Sequence, residues 1–299
     1  MISALLAALL LQASAPAAAA PEHAALRARV AEYVQPDNAA RTQVVVRQLR
    51  AAGFRPEIET FAGGNDSTGA MEGRNVVAVF GPARARREIL LVAHYDAVRL
   101  RDGSMSHGVV DNAASVVAMI EAARLLRGDR ALRHRVRLIL TDQEELGLIG
   151  ARRWIERHGL RNVAAVVNSD VAAYGDTVMF GLNNGAQSAP IVRALRETCA
   201  AETLTCVSYP EYPPSDDRAF SAAGARVVSL GFQTEIGAHQ MWLAFNGGRS
   251  NGLAPGFTPD VFRVIHSDGD RMERVEPATV ARAARTYAAL VRRLDATLR

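Results

Sequence analysis

Three apolar runs in this sequence each end in residues that can bind a metal or move a proton. Glu88–Ala93 leads into His94-Tyr95-Asp96, Val136–Leu140 into Thr141-Asp142-Gln143-Glu144-Glu145, and Val163–Val167 into Asn168-Ser169-Asp170. A fourth candidate, Asp111, stands before Asn112–Arg127, where Val116, Met119, Ile120 and Ala123 share one face at helical spacing. Each has a plain explanation when taken alone. Asp111 suits a helix N-cap, Glu144-Glu145 a solvated turn, and His94 a satisfied core histidine. Taken together they sit at the carboxyl ends of apolar runs, where open α/β sheets gather functional side chains. Imidazole mixed with carboxylates suits zinc, with cobalt or manganese as substitutes, whereas calcium and magnesium favour all-oxygen cages. No HExxH helix is present, which excludes that single-zinc protease arrangement.

These residues need a scaffold, and the sequence supplies one. Strands are predicted at Asn75–Phe80, Glu88–Ala93, Val136–Leu140, Val163–Val167, Thr177–Phe180 and Arg226–Leu230. Helices are predicted at Glu22–Tyr33, Ala39–Ala52, Asn112–Arg127, Gly147–His158, Ala189–Ala200 and Pro277–Leu298. Alternation of the two types implies an α/β fold, a three-layer αβα sandwich with a mostly parallel, mixed central sheet. No linker-like composition divides residues 21–299, so one domain is expected. The Gly/Asn/Pro-rich stretch Asn246–Pro259 reads as a surface loop within it.

Composition removes several function classes. The 35 basic residues are all arginine, so a Schiff-base lysine and a GKS/GKT phosphate loop are impossible. The arginines are scattered in sequence and no aromatic-rich platform accompanies them, which argues against nucleic-acid binding. Residues 1–20 carry no charged side chain, and the run Ala4–Leu11 is too short to span a bilayer. With Ala17–Ala20 behind it, that start reads as a secretory signal peptide, implying an exported protein, periplasmic or extracellular. An oxidising compartment permits Cys199 and Cys206 to pair, which is favoured over two buried thiols. Nothing in the sequence fixes an oligomeric state.

The chain resembles the co-catalytic dinuclear zinc aminopeptidases of peptidase clan MH, such as the bacterial leucyl aminopeptidases. The matching motifs are AHYDAV (93–98), VDNAASVVAMIEAARLL (110–126), TDQEELGLIGAR (141–152), NSD (168–170), SDD (215–217) and HSDGD (266–270), in the family's order. The resemblance implies two Zn²⁺ ions, with Asp111 bridging, His94 and Asp170 completing one site, and Glu145 and His266 the other. His266 enters through the resemblance, since nothing local marks it as a ligand. Three carboxylates against two divalent ions leave one positive charge, enough for a hydroxide. Asp96 would orient His94, and Glu144 would be the general base acting on a metal-bound water. The implied substrates are peptides with a free N-terminus.

The chain departs from the family at Asp217, where a histidine is frequent, and at Ile265, where an oxyanion-stabilising tyrosine sometimes stands. That role could pass to Tyr209 or Tyr212. The stretch Gln233–Phe262 reads as a loop longer than the core needs, shaping the substrate pocket. Three rival functions exist for this fold, and the first two remain open. One is a glutaminyl cyclase-like transferase using one zinc. Another is a binding domain that has lost catalysis. The third, an amidohydrolase or carboxypeptidase with an inserted lid, finds too little chain between Asp170 and His266.

Overall fold

The computed structural model describes residues 21–298, so the expected signal peptide at residues 1–20 lies outside the described residues. Eight strands form one sheet: β1 Glu57–Gly63, β2 Met71–Phe80, β3 Glu88–His94, β4 Arg135–Thr141, β5 Val163–Ser169, β6 Thr177–Gly181, β7 Cys206–Tyr209 and β8 Val227–Gln233. Their order is β1-β2-β4-β3-β5-β8-β6-β7. The centre β4-β3-β5-β8 is parallel throughout, while β1, β2 and the β6–β8 pair introduce antiparallel neighbours. This is the mixed, mostly parallel sheet expected from the sequence.

Strand side chains alternate between two helical layers, as the period of two requires. Ile89, Leu91 and Ala93 of β3 join the core formed with α1 (Pro21–Ala31), α2 (Asn38–Ala51), α3 (Ala114–Leu126), α5 (Ala189–Ala201) and α9 (Pro277–Thr297). Leu90 and Val92 face the other way, toward Trp154 of α4 (Ile149–His158) and Phe220 of α6 (Asp217–Ala222). Burial of near-continuous apolar strands on both faces holds the central sheet rigid, and with it the strand ends. Cys199 and Cys206 are disulfide-bonded, tying α5 to β7. Among the described residues no helix is long and apolar enough to cross a membrane.

Five elements lie where the sequence offered no clear signal. Edge strand β1 carries Glu57 and Glu59 beside an exposed Ile58, and edge strand β7 is only four residues long. Helix α6 spans six residues. The stretch read as a loop over Gln233–Phe262 instead contains α7 (Glu235–Asn246) and the start of α8 (Asp260–Val264). Gly237 weakened the pattern of α7, which buries only Gly237, Ala238 and Met241; Thr234 caps it by accepting from the Gly237 N–H at 3.1 Å.

Candidate active site

The three central strands β4, β3 and β5 run parallel and side by side, so their carboxyl ends open on one place. His94 is the last residue of β3, Asp170 follows β5, and Glu144 and Glu145 lie in the turn between β4 and α4. Asp111 arrives in a kinked, non-helical turn, Val109–Ala113, that precedes α3. It is no N-cap: α3 has no side-chain cap, and the Asp111 backbone is extended at φ −119°, ψ 89°. His266 follows α8.

All five expected ligands converge in two groups that share Asp111. In the first, His94 Nε2 lies 3.1 Å from Asp111 Oδ1 and 3.8 Å from Asp170 Oδ1. In the second, His266 Nε2 lies 3.1 Å from Asp111 Oδ2 and 2.9 Å from Glu145 Oε2. Within each group the ligand-type atoms all lie within 4.8 Å of one another. A metal pair fits this arrangement on its donor chemistry. Asp111 Oδ1 is buried and has no aligned hydrogen bond, although an imidazole nitrogen faces it at 3.1 Å. Lone pairs directed at a common point, rather than at one another's protons, give that pattern.

The protein's own charges show the same demand for cations. Burial opposes it, but the close His266 and His94 imidazoles hold Asp111 well below the usual carboxylate range. Hydrogen bonds to Asp111 and Glu145 push His266 up to about 11. Burial, joined by the Asp111 charge, pushes Glu145 up to about 7. Burial also drives Glu144 well above its ordinary value; His94 opposes this, while Asp216, Asp170 and Glu145 add to it.

Asp96 does two things at once. One oxygen lies 3.4 Å from His94 Nδ1, and its carboxylate accepts from the Glu144 and Glu145 N–H groups at 3.2 Å each. It therefore couples the imidazole to the turn bearing the acid pair. Three further residues with no role assigned from sequence build the frame. Buried Asp270 accepts from three consecutive N–H groups, those of Val109 and Val110 at 2.8 and 2.7 Å and that of Asp111 at 3.1 Å. Asn112 donates to Ser169 O at 2.9 Å and accepts from Val171 N at 3.0 Å, fastening the Asp111 turn to the Asp170 strand end. Buried Asp216 accepts from Thr141 Oγ1 at 2.5 Å. Asp270 and Asp216 belong to the HSDGD and SDD motifs, but their roles depend on groups far away in sequence. Backbone strain also gathers here. Gln143, Val171 and His266 have φ of 58°, 59° and 56°, a region that costs a non-glycine residue roughly 1–2 kcal/mol.

Beside the cluster lies a pocket of about 310 Å³ whose apolar wall includes Val171, Met179, Met241, Phe245, Phe262 and Ile265. Tyr212 and Gln233 contribute polar groups to its lining, and the ligand carboxylates and Glu144 border it. Of the two candidate tyrosines, Tyr209 is engaged elsewhere, its hydroxyl donating to Ala238 O. Burial holds Tyr212 well above its ordinary value, so it stays a hydrogen-bond donor.

Fold and site together define an αβα protein with a two-group ligand cluster at the carboxyl edge of its sheet. The chain belongs to peptidase family M28, whose family model matches residues 75–291. A stretch of 128 residues, 42% of this chain, is 30% identical to the probable lipoprotein aminopeptidase LpqL of Mycobacterium tuberculosis; it covers 24% of that relative, about a quarter of its length. The fold is similar to that of Porphyromonas gingivalis glutaminyl cyclase, with TM-score 0.69 and 16% identity over 92% of this chain and 96% of that one. It is also similar to a Zn-dependent exopeptidase from Parabacteroides distasonis, with TM-score 0.67 and 17% identity over 90% and 96%. At these identities the two structures bear on the fold alone.

Proposed function

We propose that this chain is an exported zinc-dependent aminopeptidase that removes N-terminal residues from peptides. The observation that carries the reading is the sharing of Asp111 between two ligand groups, with Glu144 beside them at an apolar-walled pocket. His94 and Asp170 would hold one ion, and Glu145 and His266 the other. When bound, the zinc pair supplies Lewis acidity that lowers the pKa of a water and polarises the scissile carbonyl.

Glu144 takes the proton of the attacking water and returns it to the departing amine, a role that its raised affinity for protons suits. Asp96 keeps the Glu144 backbone and the His94 ring in one frame. Tyr212 donates to the developing oxyanion. The apolar wall takes the side chain of the N-terminal residue, and the Glu144 and Asp170 carboxylates favour a free ammonium over a blocked terminus. Export is supported by the uncharged start of the sequence, by the Cys199–Cys206 disulfide, and by the name "lipoprotein" of the mycobacterial relative.

A second reading, cyclisation of N-terminal glutamine, draws on the similarity to the Porphyromonas enzyme along nearly its whole length. Metal analysis and product analysis separate the two. The aminopeptidase reading expects close to two zinc ions per chain, release of amino acids from unblocked peptides, and no cleavage of N-acetylated ones. Glu144→Gln should abolish turnover with both metals retained. Full activity in that variant would exclude Glu144 as the base. One zinc per chain with a pyroglutamyl product would favour the cyclase.

A further inference from the structure

At the end of the sheet opposite the ligand cluster, the starts of β3, β4 and β5 and the end of α4 enclose a cavity of about 240 Å³. Five guanidinium groups line it, from Arg86, Arg87, Arg135, Arg137 and Arg161, and Glu88 supplies its one carboxylate among the described residues. In sequence these arginines look scattered. The register gathers them, pairing Glu88 with Arg135 and Leu90 with Arg137 on neighbouring parallel strands.

The pairing within the cavity is incomplete. Arg137 takes the carboxylate, Nε to Oε2 at 3.0 Å, and lies over the Trp154 ring at 6.0 Å. Arg87 donates to Val163 O at 3.4 Å and Arg135 to Ala85 O at 3.3 Å, but the buried Arg135 Nε has no hydrogen-bond partner. The exposed Arg86 and Arg161 have no ion-pair or hydrogen-bond partner among the described residues. His158, at the same rim, already bonds Glu59 at 3.0 Å. The carboxyl end of α4 offers about half an elementary negative charge, far short of balancing Arg86, Arg135 and Arg161. A buried N–H on a cation left unbonded is costly, and guanidinium forks match tetrahedral oxyanions bidentately.

We infer that this cavity binds a single oxyanion: phosphate, free or as the monoester of a headgroup. A compact pocket, rather than a stripe, suits one anion better than a run of nucleic-acid phosphates. Strands of seven residues place it roughly 20 Å from the ligand cluster, so it stands independently of the peptidase reading.

Calorimetric titration of the zinc-loaded full chain with inorganic phosphate, at constant ionic strength, tests this. Saturable binding is expected with a dissociation constant of about 1 mM or tighter. It should weaken at least about tenfold in the exposed-site double variant Arg86→Gln/Arg161→Gln, with peptide hydrolysis unchanged within about twofold, as expected for distant sites. Phosphate also ligates zinc, so the reading is the difference between wild type and variant. Arg135→Gln should reproduce the loss. Equal titrations for wild type and double variant would overturn the site. Retention of wild type but not of the double variant on phosphatidic acid vesicles, against phosphatidylcholine alone, would make the source a lipid headgroup. Phosphate binding without that retention would make it a soluble anion. Tight duplex DNA binding that is lost in the double variant would overturn the single-oxyanion reading.

Discussion

The two ligand groups that share Asp111 are built differently. His94 and Asp170 stand on adjacent parallel strand ends, and the His94 side chain is 1% exposed. His266 comes from a loop after a five-residue helix, its backbone at φ 56° and its side chain 50% exposed. Sheet topology makes the first group; the second depends on loop conformation held from outside. A strand end cannot move without disturbing a packed core, whereas a loop ligand can leave with little cost to the fold.

The largest effect should come from the residue that both groups use. Asp111→Ala should lose both ions by metal analysis and reduce turnover to background; retention of one ion would show that Asp111 does not bridge. Substituting the two histidines separately should then expose the asymmetry. Each single alanine variant should bind about one zinc ion, since one ligand group stays whole. His94→Ala should also lower the thermal midpoint, because it opens a hole in buried structure and removes the imidazole beside buried Asp96. His266→Ala should leave the midpoint, measured without added zinc, nearly unchanged. Equal losses of stability would contradict the comparison.

The same contrast governs what was legible in the sequence. His94, Glu145 and Asp170 could be read because a parallel sheet fixes where strand ends go, and apolar runs mark strands well. Glu144 and Asp96 take their roles from the family resemblance. Nothing local announces His266 as a ligand; it came from family resemblance. Asp270, Asn112 and Asp216 went unassigned because their partners are backbone groups or hydroxyls 57 to 161 residues away. Such bonds exist only after folding. Edge strands β1 and β7 and helix α7 were missed because half-exposed elements lack the strong apolar period that buried ones show.

Asp270 gives the third test, between the two groups. It holds the Asp111 turn through three N–H groups and has no hydrogen bond to a ligand side chain among the described residues. Asp270→Asn turns an amide N–H toward donors that the carboxylate now accepts, so the turn should loosen. Weakening of zinc affinity by about 10–100-fold, typical for residues that orient ligands, is expected in a chelator competition, with native circular dichroism retained. Unchanged affinity would mean that the turn is held by Asn112 and packing alone.

The smallest effect concerns the surroundings of the buried group. Asp217 is buried and accepts from Ser215 N at 2.9 Å, while its second oxygen has no hydrogen bond and only a distant Arg218 Nε at 4.0 Å. Burial pushes its carboxyl up to about 6 from an ordinary 3.8. The folded chain therefore binds this proton more tightly than the unfolded chain. The Asp217 contribution favours folding below about pH 4 and is lost as pH rises to about 6, where the buried ion costs on the order of 3 kcal/mol. An asparagine in its place does not titrate, and the amide oxygen can still accept from Ser215 N. Asp217→Asn should thus melt higher than wild type at pH 7, with the difference closing by pH 4. Other carboxyls near the site also titrate, but they do so in both proteins, so the difference isolates Asp217. A gap that stays constant from pH 4 to 8 would show that this side chain is solvated well enough to ionise freely. The buried half of the site would then be less closed than the geometry of Asp216, Thr141 and His94 requires.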